Sequence, residues 1–274
     1  MSQQHTVPDR SGMPGLGLGT WQNEDPDACA ESVRTALEHG YRHVDTAQIY
    51  GNEAAVGRGI AEADVDREEV FLATKVWIDS LAPEDVVAST AESLEKLGTD
   101  YLDLLYIHWP ARAYDPDGTL SAFEKLYEEG TIERIGVSNF EPAHIETAQS
   151  AIGAPIFANQ IEIHPLLQQR ELRAFCADAG IELVAYSPLA RGDVFDVDVI
   201  AEIAADHGVS EAQVSLAWLQ TKDVTPIPKA TGTDHIRDNW ASLALELTDA
   251  EIDRIDAIDT ERRFVDPDFG PESW

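Results

Sequence analysis

The chain has 274 residues, 43% of them hydrophobic and 8% aromatic, which is ample for a buried core and excludes a disordered chain. It carries 51 acidic residues against 19 basic ones, for a formal charge of −32. Nucleic acid and anionic membrane both need a basic face, so neither is expected as a partner.

In chain order, short apolar runs alternate with amphipathic stretches. Gly15 to Gly19 is read as a first strand. Pro26 to His39 follows as a helix: Asp25-Pro26 opens it, Cys29, Val33, Ala36 and Leu37 share one face, and Gly40 ends it. Arg42 to Asp45 and Val70 to Lys75 are strands. Pro83 to Leu97 is a helix with Val86, Val87, Thr90, Leu94 and Leu97 on one face, stopped by Gly98. Leu102 to Ile107, Arg134 to Ser138, Ile156 to Ile161, Glu182 to Tyr186 and Val224 to Pro228 complete the strands. Further helices are expected at 119–129, 142–151, 169–179, 198–207, 210–221, 234–243 and 249–258.

Eight strands alternating with helices imply parallel pairing through right-handed crossovers. Eight β/α units in about 250 residues fit a closed (β/α)8 TIM barrel, with an open doubly wound sheet as the alternative. No linker rich in Gly, Pro or Ser divides the chain, so residues 1–274 are read as a single domain. The tail from Glu261 to Trp274 has two prolines and late aromatics but no helical periodicity, and is expected to lie over the barrel as a loop.

The acidic surplus would make the protein repel itself at low ionic strength, and molar salt cuts the screening length to about 3 Å. A surface adapted to high salt, as in halophiles, is the expectation. Cys29 and Cys176 are far apart in sequence, which disfavours a disulfide framework. Met1 to His5 has neither the basic start nor the apolar run of a signal peptide, and no stretch approaches the roughly 18 apolar residues of a membrane span. A cytoplasmic location is expected. The eight histidines are scattered without His-x-x-x-His or His/Cys spacing, so no catalytic metal is expected.

Barrel active sites gather at the C-terminal ends of the strands. Asp45, Lys75 and His108 each stand at or just after a strand end, and Tyr50 lies in the loop after Asp45. An ammonium beside a tyrosine favours the phenolate and lowers a pKa that is otherwise near 10. Asp45 beside Lys75 would keep the ammonium charged, and His108 could orient a carbonyl oxygen. Such a set would protonate that oxygen as a hydride arrives at the carbon, and the hydride must come from a cofactor. Trp21, Trp77 and Trp109 also follow strand ends, which suggests an aromatic-walled pocket for small to medium aldehydes and ketones. Gly15-Leu16-Gly17-Leu18-Gly19 places its third glycine one residue too early for a dinucleotide fingerprint.

Gly40-Tyr41-Arg42-His43-Val44-Asp45-Thr46-Ala47-Gln48-Ile49-Tyr50-Gly51-Asn52-Glu53 closely resembles the signature of the aldo-keto reductases. Further matches follow in order: Thr74-Lys75-Val76-Trp77, Ile107-His108-Trp109-Pro110, Ile135 to Phe140, Asn159-Gln160-Ile161-Glu162, Ala185 to Leu189, and Ile227-Pro228-Lys229. The resemblance runs from Gly15 to the last helix and is strongest toward the diketogluconate-reductase-like prokaryotic branch. It implies a barrel that binds NADP(H), with NAD(H) as the alternative, and reduces carbonyl compounds to alcohols. Tyr50 would be the proton donor, Lys75 and Asp45 its tuning pair, and His108 the substrate-orienting residue. Trp21, Tyr50, Trp77, His108 and Trp109 would meet the substrate. Tyr186 would stack on the nicotinamide, and Ser138, Asn139 and Gln160 would bond its carboxamide. Thr20, Trp21 and Asp45 would approach it from the first two strand ends. Ser187, Leu189 and Arg191 would follow the pyrophosphate, and Lys229, Thr231, His235 and Asn239 the adenosine end.

That end departs from the family pattern. Ala230 stands where many relatives have Ser, and His235 where they have Arg. The departure should weaken 2′-phosphate binding, although Lys229 remains. A monomer acting on a small-molecule carbonyl substrate is expected. Two other readings stay open: a cofactor-binding regulatory subunit of the same fold, and a Schiff-base lyase using Lys75.

Overall fold

The computed structural model describes residues 7–271. Met1 to His5, on which the signal-peptide reading rests, and the tail residues 272–274 lie outside them. A short antiparallel hairpin comes first, β1 (Asp9–Arg10) with β2 (Met13–Pro14). The chain then runs β3 (Leu18–Gly19), α1 (Pro26–His39), β4 (His43–Asp45), α2 (Glu53–Glu62), β5 (Phe71–Val76), α3 (Pro83–Leu97), β6 (Leu104–Ile107) and α4 (Pro116–Glu128). It continues β7 (Ile135–Ser138), α5 (Pro142–Ala151), β8 (Ile156–Glu162), α6 (Arg170–Asp178), β9 (Glu182–Tyr186), α7 (Asp198–His207), α8 (Glu211–Thr221), β10 (Val224–Pro226), α9 (Thr233–Ala241) and α10 (Asp249–Asp256).

Strands β3 to β10 pair in sequence order, and every pairing is parallel. The first and last strands also meet. Gly17 N–H donates to Pro226 O at 3.0 Å and Gly19 N–H to Pro228 O at 3.1 Å. This is the arrangement of a (β/α)8 barrel, and an open doubly wound sheet does not describe it. A Cβ on Gly19 would stand 2.5 Å from Ile227 O, so the two edges meet this closely only because that side chain is absent.

Strand alternation sorts side chains between two cores. Met13, Phe71, Ala73, Leu104, Tyr106, Ala158, Val184 and Ile227 fill one cluster, inside the barrel. The larger cluster, with Val33, Leu72, Phe123, Ile161 and Trp218, lies between strands and helices. Following the inward positions upward gives Phe71-Ala73-Lys75, Leu104-Tyr106-His108, Ala158-Gln160-Glu162 and Val184-Tyr186. The polar members come at the C-terminal end of each series.

Two elements were not expected. Helix α2 was hidden because Gly57 and Gly59 lower its helical propensity. The same glycines explain it: Cβ atoms there would stand 2.4 Å from Leu97 O and 2.5 Å from Ala30 O, so the helix packs backbone-close on its neighbours. The hairpin is too short for periodicity to reveal, yet Met13 is fully buried in the barrel's interior.

Candidate active site

Asp45 ends β4, Lys75 is the penultimate residue of β5 and His108 follows β6. Tyr50 closes a single helical turn, Gln48–Tyr50, and the left-handed Gly51 (φ 67°) turns the chain away from it. Gln48 fixes that turn: its Oε1 accepts from Trp77 N–H at 3.0 Å and its Nε2 donates to Ser93 Oγ at 3.2 Å.

Lys75 is fully buried, and its ammonium spends its three donors nearby. Nζ lies 2.5 Å from Asp45 Oδ1, 2.8 Å from Thr46 O and 3.5 Å from Tyr50 Oη. The His108 ring stands edge-on to Tyr50 at 5.9 Å and to Trp77 at 5.1 Å. Asp45, Lys75, Tyr50 and His108 therefore form one cluster.

The electrostatics correct one expectation. Burial first, and the Asp45 carboxylate second, push the Tyr50 phenol well above its ordinary value, not below it. Lys75 does not reverse this, because its charge is matched by Asp45 at 2.5 Å. Burial, aided by the Lys75 charge, holds His108 well below the ordinary histidine value. At neutral pH the cluster holds a protonated tyrosine and a neutral histidine. The His108 Nδ1 has no hydrogen-bond partner among the described residues.

Above the cluster opens a cavity of about 570 Å³. Its wall includes Thr20, Trp21, Asp45, Tyr50, Trp77, His108, Trp109, Asn139, Gln160, Tyr186, Ser187, Leu189, Arg191 and Lys229. Thr20 is buried and its Oγ1 donates to Asp45 O at 3.0 Å. Gln160 Nε2 donates to Asp45 Oδ2 at 2.7 Å. Tyr186 Oη donates to Asn139 Oδ1 at 2.8 Å, and Asn139 Nδ2 donates to His108 O and Ser138 Oγ, both at 3.1 Å. The Arg191 guanidinium stacks over the Trp21 ring at 4.8 Å, spanning the loops after β9 and β3.

Not every expected residue comes to the cavity. Ser138 is buried behind Asn139, with Oγ donating to Gln160 O at 2.8 Å. Thr231 and His235 are exposed near the start of α9, Asn239 is buried within it, and none of the three lines the cavity. Asp238, next to Asn239, accepts from Ser210 Oγ and Gln213 Nε2, each at 2.6 Å. Other wall residues had not been foreseen: Ile49, Phe195, Val265, Pro267 and Phe269. Ile49 and Phe195 are about half exposed, and such uncovered apolar side chains beside a cleft are recognisable only in the folded chain. Phe269 stands edge-on to Trp77 at 5.9 Å and Trp109 at 5.5 Å.

The sequence pattern of the aldo/keto reductase family matches residues 15–260. The chain belongs to the aldo/keto reductase family. This aldo/keto reductase is 43% identical over 251 residues to the glyoxal reductase of Bacillus subtilis, covering 92% of the chain and 91% of that protein. It is 41% identical over 265 residues to the methylglyoxal reductase DkgB of Escherichia coli O157:H7, covering 96% and 99%. Among solved structures, a provisionally named 2,5-diketo-D-gluconic acid reductase B superposes with a TM-score of 0.93 at 36% identity, covering 98% of both chains. As an aldo/keto reductase, the protein is an oxidoreductase acting on carbonyl groups, in a family that uses nicotinamide cofactors. Among the described residues, no helix is long and apolar enough to cross a membrane.

Proposed function

We propose that this protein reduces small aldehydes, ketones and dicarbonyls to alcohols with NADPH, using Tyr50 as the proton donor at the C-terminal ends of the barrel strands. The observation that carries the reading is the buried Asp45–Lys75–Tyr50 chain beside a neutral His108 at the base of a cavity. The glyoxal and methylglyoxal reductases among its relatives favour small dicarbonyls.

The residues fit the cofactor. Tyr186 offers an aromatic wall with its hydroxyl held by Asn139, His108 Nδ1 is unpartnered among the described residues, and Arg191 and Lys229 bring positive charge to the wall of an otherwise acidic protein. Tyr186 would stack on the nicotinamide, with Asn139 and Gln160 nearest its carboxamide and Ser138 supporting Asn139. Thr20 and Trp21 would flank that end, Ser187, Leu189 and Arg191 the pyrophosphate, and Lys229, Thr231, His235 and Asn239 the adenosine. The cofactor, when bound, supplies a hydride to the carbonyl carbon.

The chain supplies the proton. As negative charge gathers on the carbonyl oxygen, Tyr50 donates its hydroxyl proton there. A phenol pushed up by burial keeps its proton until that moment. Lys75 then stabilises the phenolate left behind, and Asp45 holds Lys75 in place. His108, neutral, donates a hydrogen bond to the same oxygen and fixes the angle of approach. Trp21, Trp77 and Trp109 give the carbonyl compound apolar walls.

NADPH is favoured over NADH because Lys229 brings a positive charge to the cavity wall. The proposal extends to a single barrel domain over residues 1–274, a monomer, working in cytoplasm of high salt content. The test is NADPH oxidation with methylglyoxal and simple aldehydes. Tyr50→Phe should abolish turnover while leaving NADPH binding within about twofold, and undiminished turnover would remove Tyr50 from the proton-donor role.

A further inference from the structure

Among the described residues, the tail from Arg262 to Pro271 has no helix or strand, yet it supplies Val265, Pro267 and Phe269 to the cavity wall. Glu162, the last residue of β8, is fully buried beneath it. Its Oε1 accepts Phe264 N–H at 2.9 Å and His164 Nε2 at 3.0 Å, and its Oε2 accepts Val265 N–H at 3.0 Å. The His164 ring packs edge-on to Phe264 at 5.5 Å, and Arg262 N–H donates to Leu166 O at 2.7 Å. A buried carboxylate that accepts two successive backbone N–H groups fixes the chain at that point, because each donor would otherwise be left unpaired. Four residues on, Phe269 reaches the two tryptophans, and Trp77 in turn touches His108.

We propose that Glu162 is a positioning residue for substrate selection. It touches neither the cavity nor the catalytic cluster. It pins the tail at Phe264 and Val265, and so sets where Phe269 closes the wall formed by Trp77 and Trp109. The wall stays narrow while the tail is pinned, which favours small carbonyl compounds over bulky ones. The inference rests on the reading of the cavity as a carbonyl-reductase site, but the tether itself is measured without turnover.

In the unaltered protein, hydrogen exchange should show the Phe264 and Val265 amides protected by at least about tenfold, although the tail lacks secondary structure. Glu162→Gln keeps the side chain's size but sets an NH2 against one of the two donors. Exchange at both amides should then quicken by about tenfold or more, and trypsin should cleave after Arg262 or Arg263 correspondingly faster. With NADPH, KM for a bulky aromatic aldehyde should fall by about threefold or more, while kcat for methylglyoxal stays within about twofold. Phe269→Ala should produce the same shift in selectivity, and the double variant should add nothing further. Unprotected amides in the unaltered protein would overturn the proposal even if Glu162→Gln did not fold. So would a kcat loss common to all substrates with unchanged tail exchange, or fully additive effects of the two substitutions. If no carbonyl compound turns over at all, the functional reading fails, while exchange and proteolysis still decide the tether.

Discussion

Gln160 donates its side-chain amide to Asp45 Oδ2 at 2.7 Å, from a strand 115 residues further along the chain. Asp45 therefore has a separate partner for each oxygen, with Lys75 on Oδ1 at 2.5 Å. A cofactor carboxamide would meet a Gln160 already committed to the carboxylate that holds Lys75. Gln160→Leu leaves one buried carboxylate oxygen without a donor. Stability in urea should drop by about 1–3 kcal/mol, with activity falling as Asp45 loosens. An unchanged unfolding midpoint would show the bond to contribute nothing.

Lys75→Met tests the buried pair from its other side. It strands the Asp45 charge at about 2% side-chain exposure and should destabilise by about 3–5 kcal/mol. Adding Asp45→Asn should recover about half of that loss or more, since the uncompensated charge is then gone. Neither variant should reduce carbonyls at a measurable rate. Urea denaturation of the single and double variants measures the coupling.

Acid should unfold the protein partly through His43. Burial lowers His43 from 6.5 to about 4 in the folded chain. Between those values the unfolded chain binds a proton that the folded chain does not. The stability tied to this group is therefore complete above pH 6.5 and is lost as pH falls toward 4, by about 3 kcal/mol. His108, also held low by burial, contributes with the same sign. In His43→Leu, the slope of unfolding free energy against pH should flatten across this window.

The rate should behave differently. Tyr50 is pushed well above 10 and His108 well below 6.5, so neither changes charge between about pH 6 and 9. In that range neither group should impose an inflection on kcat/KM for reduction of an aldehyde. An inflection near 6.5 that vanished in His108→Gln would show the histidine titrating, contrary to its environment.

Salt should matter more than for an ordinary enzyme. The chain carries −32 in 274 residues. Raising KCl from low concentration to about 2 M should lift the thermal midpoint by more than about 10 °C, because screening removes self-repulsion. A midpoint independent of KCl would argue for an ordinary acidic protein.

Much of the candidate site was legible from strand ends alone. Asp45, Lys75 and His108 stand at or just after strand ends, and Tyr50 lies in the loop after Asp45. Local pattern failed where local pattern carries no information. Helix α2 is stabilised by what Gly57 and Gly59 permit its neighbours to do. The hairpin at Asp9 to Pro14 is too short to show a period. The direction of the Tyr50 shift depends on burial and on Asp45, which outweigh the lysine that seemed decisive in sequence.

The sequence by itself determined the repeating β/α pattern and which polar residues stand at the strand ends. These follow from spacing and residue chemistry within short segments. The tertiary structure decided which polar groups satisfy one another: Gln160 with Asp45, Glu162 with the tail amides at Phe264 and Val265, Arg191 with Trp21. Those pairs are separated by about a hundred residues or more along the chain, and no periodicity encodes a partner at that range. Only closure of the sheet, with Gly19 against Ile227, brings the strand ends round one rim and gives the late aromatic Phe269 a wall to complete.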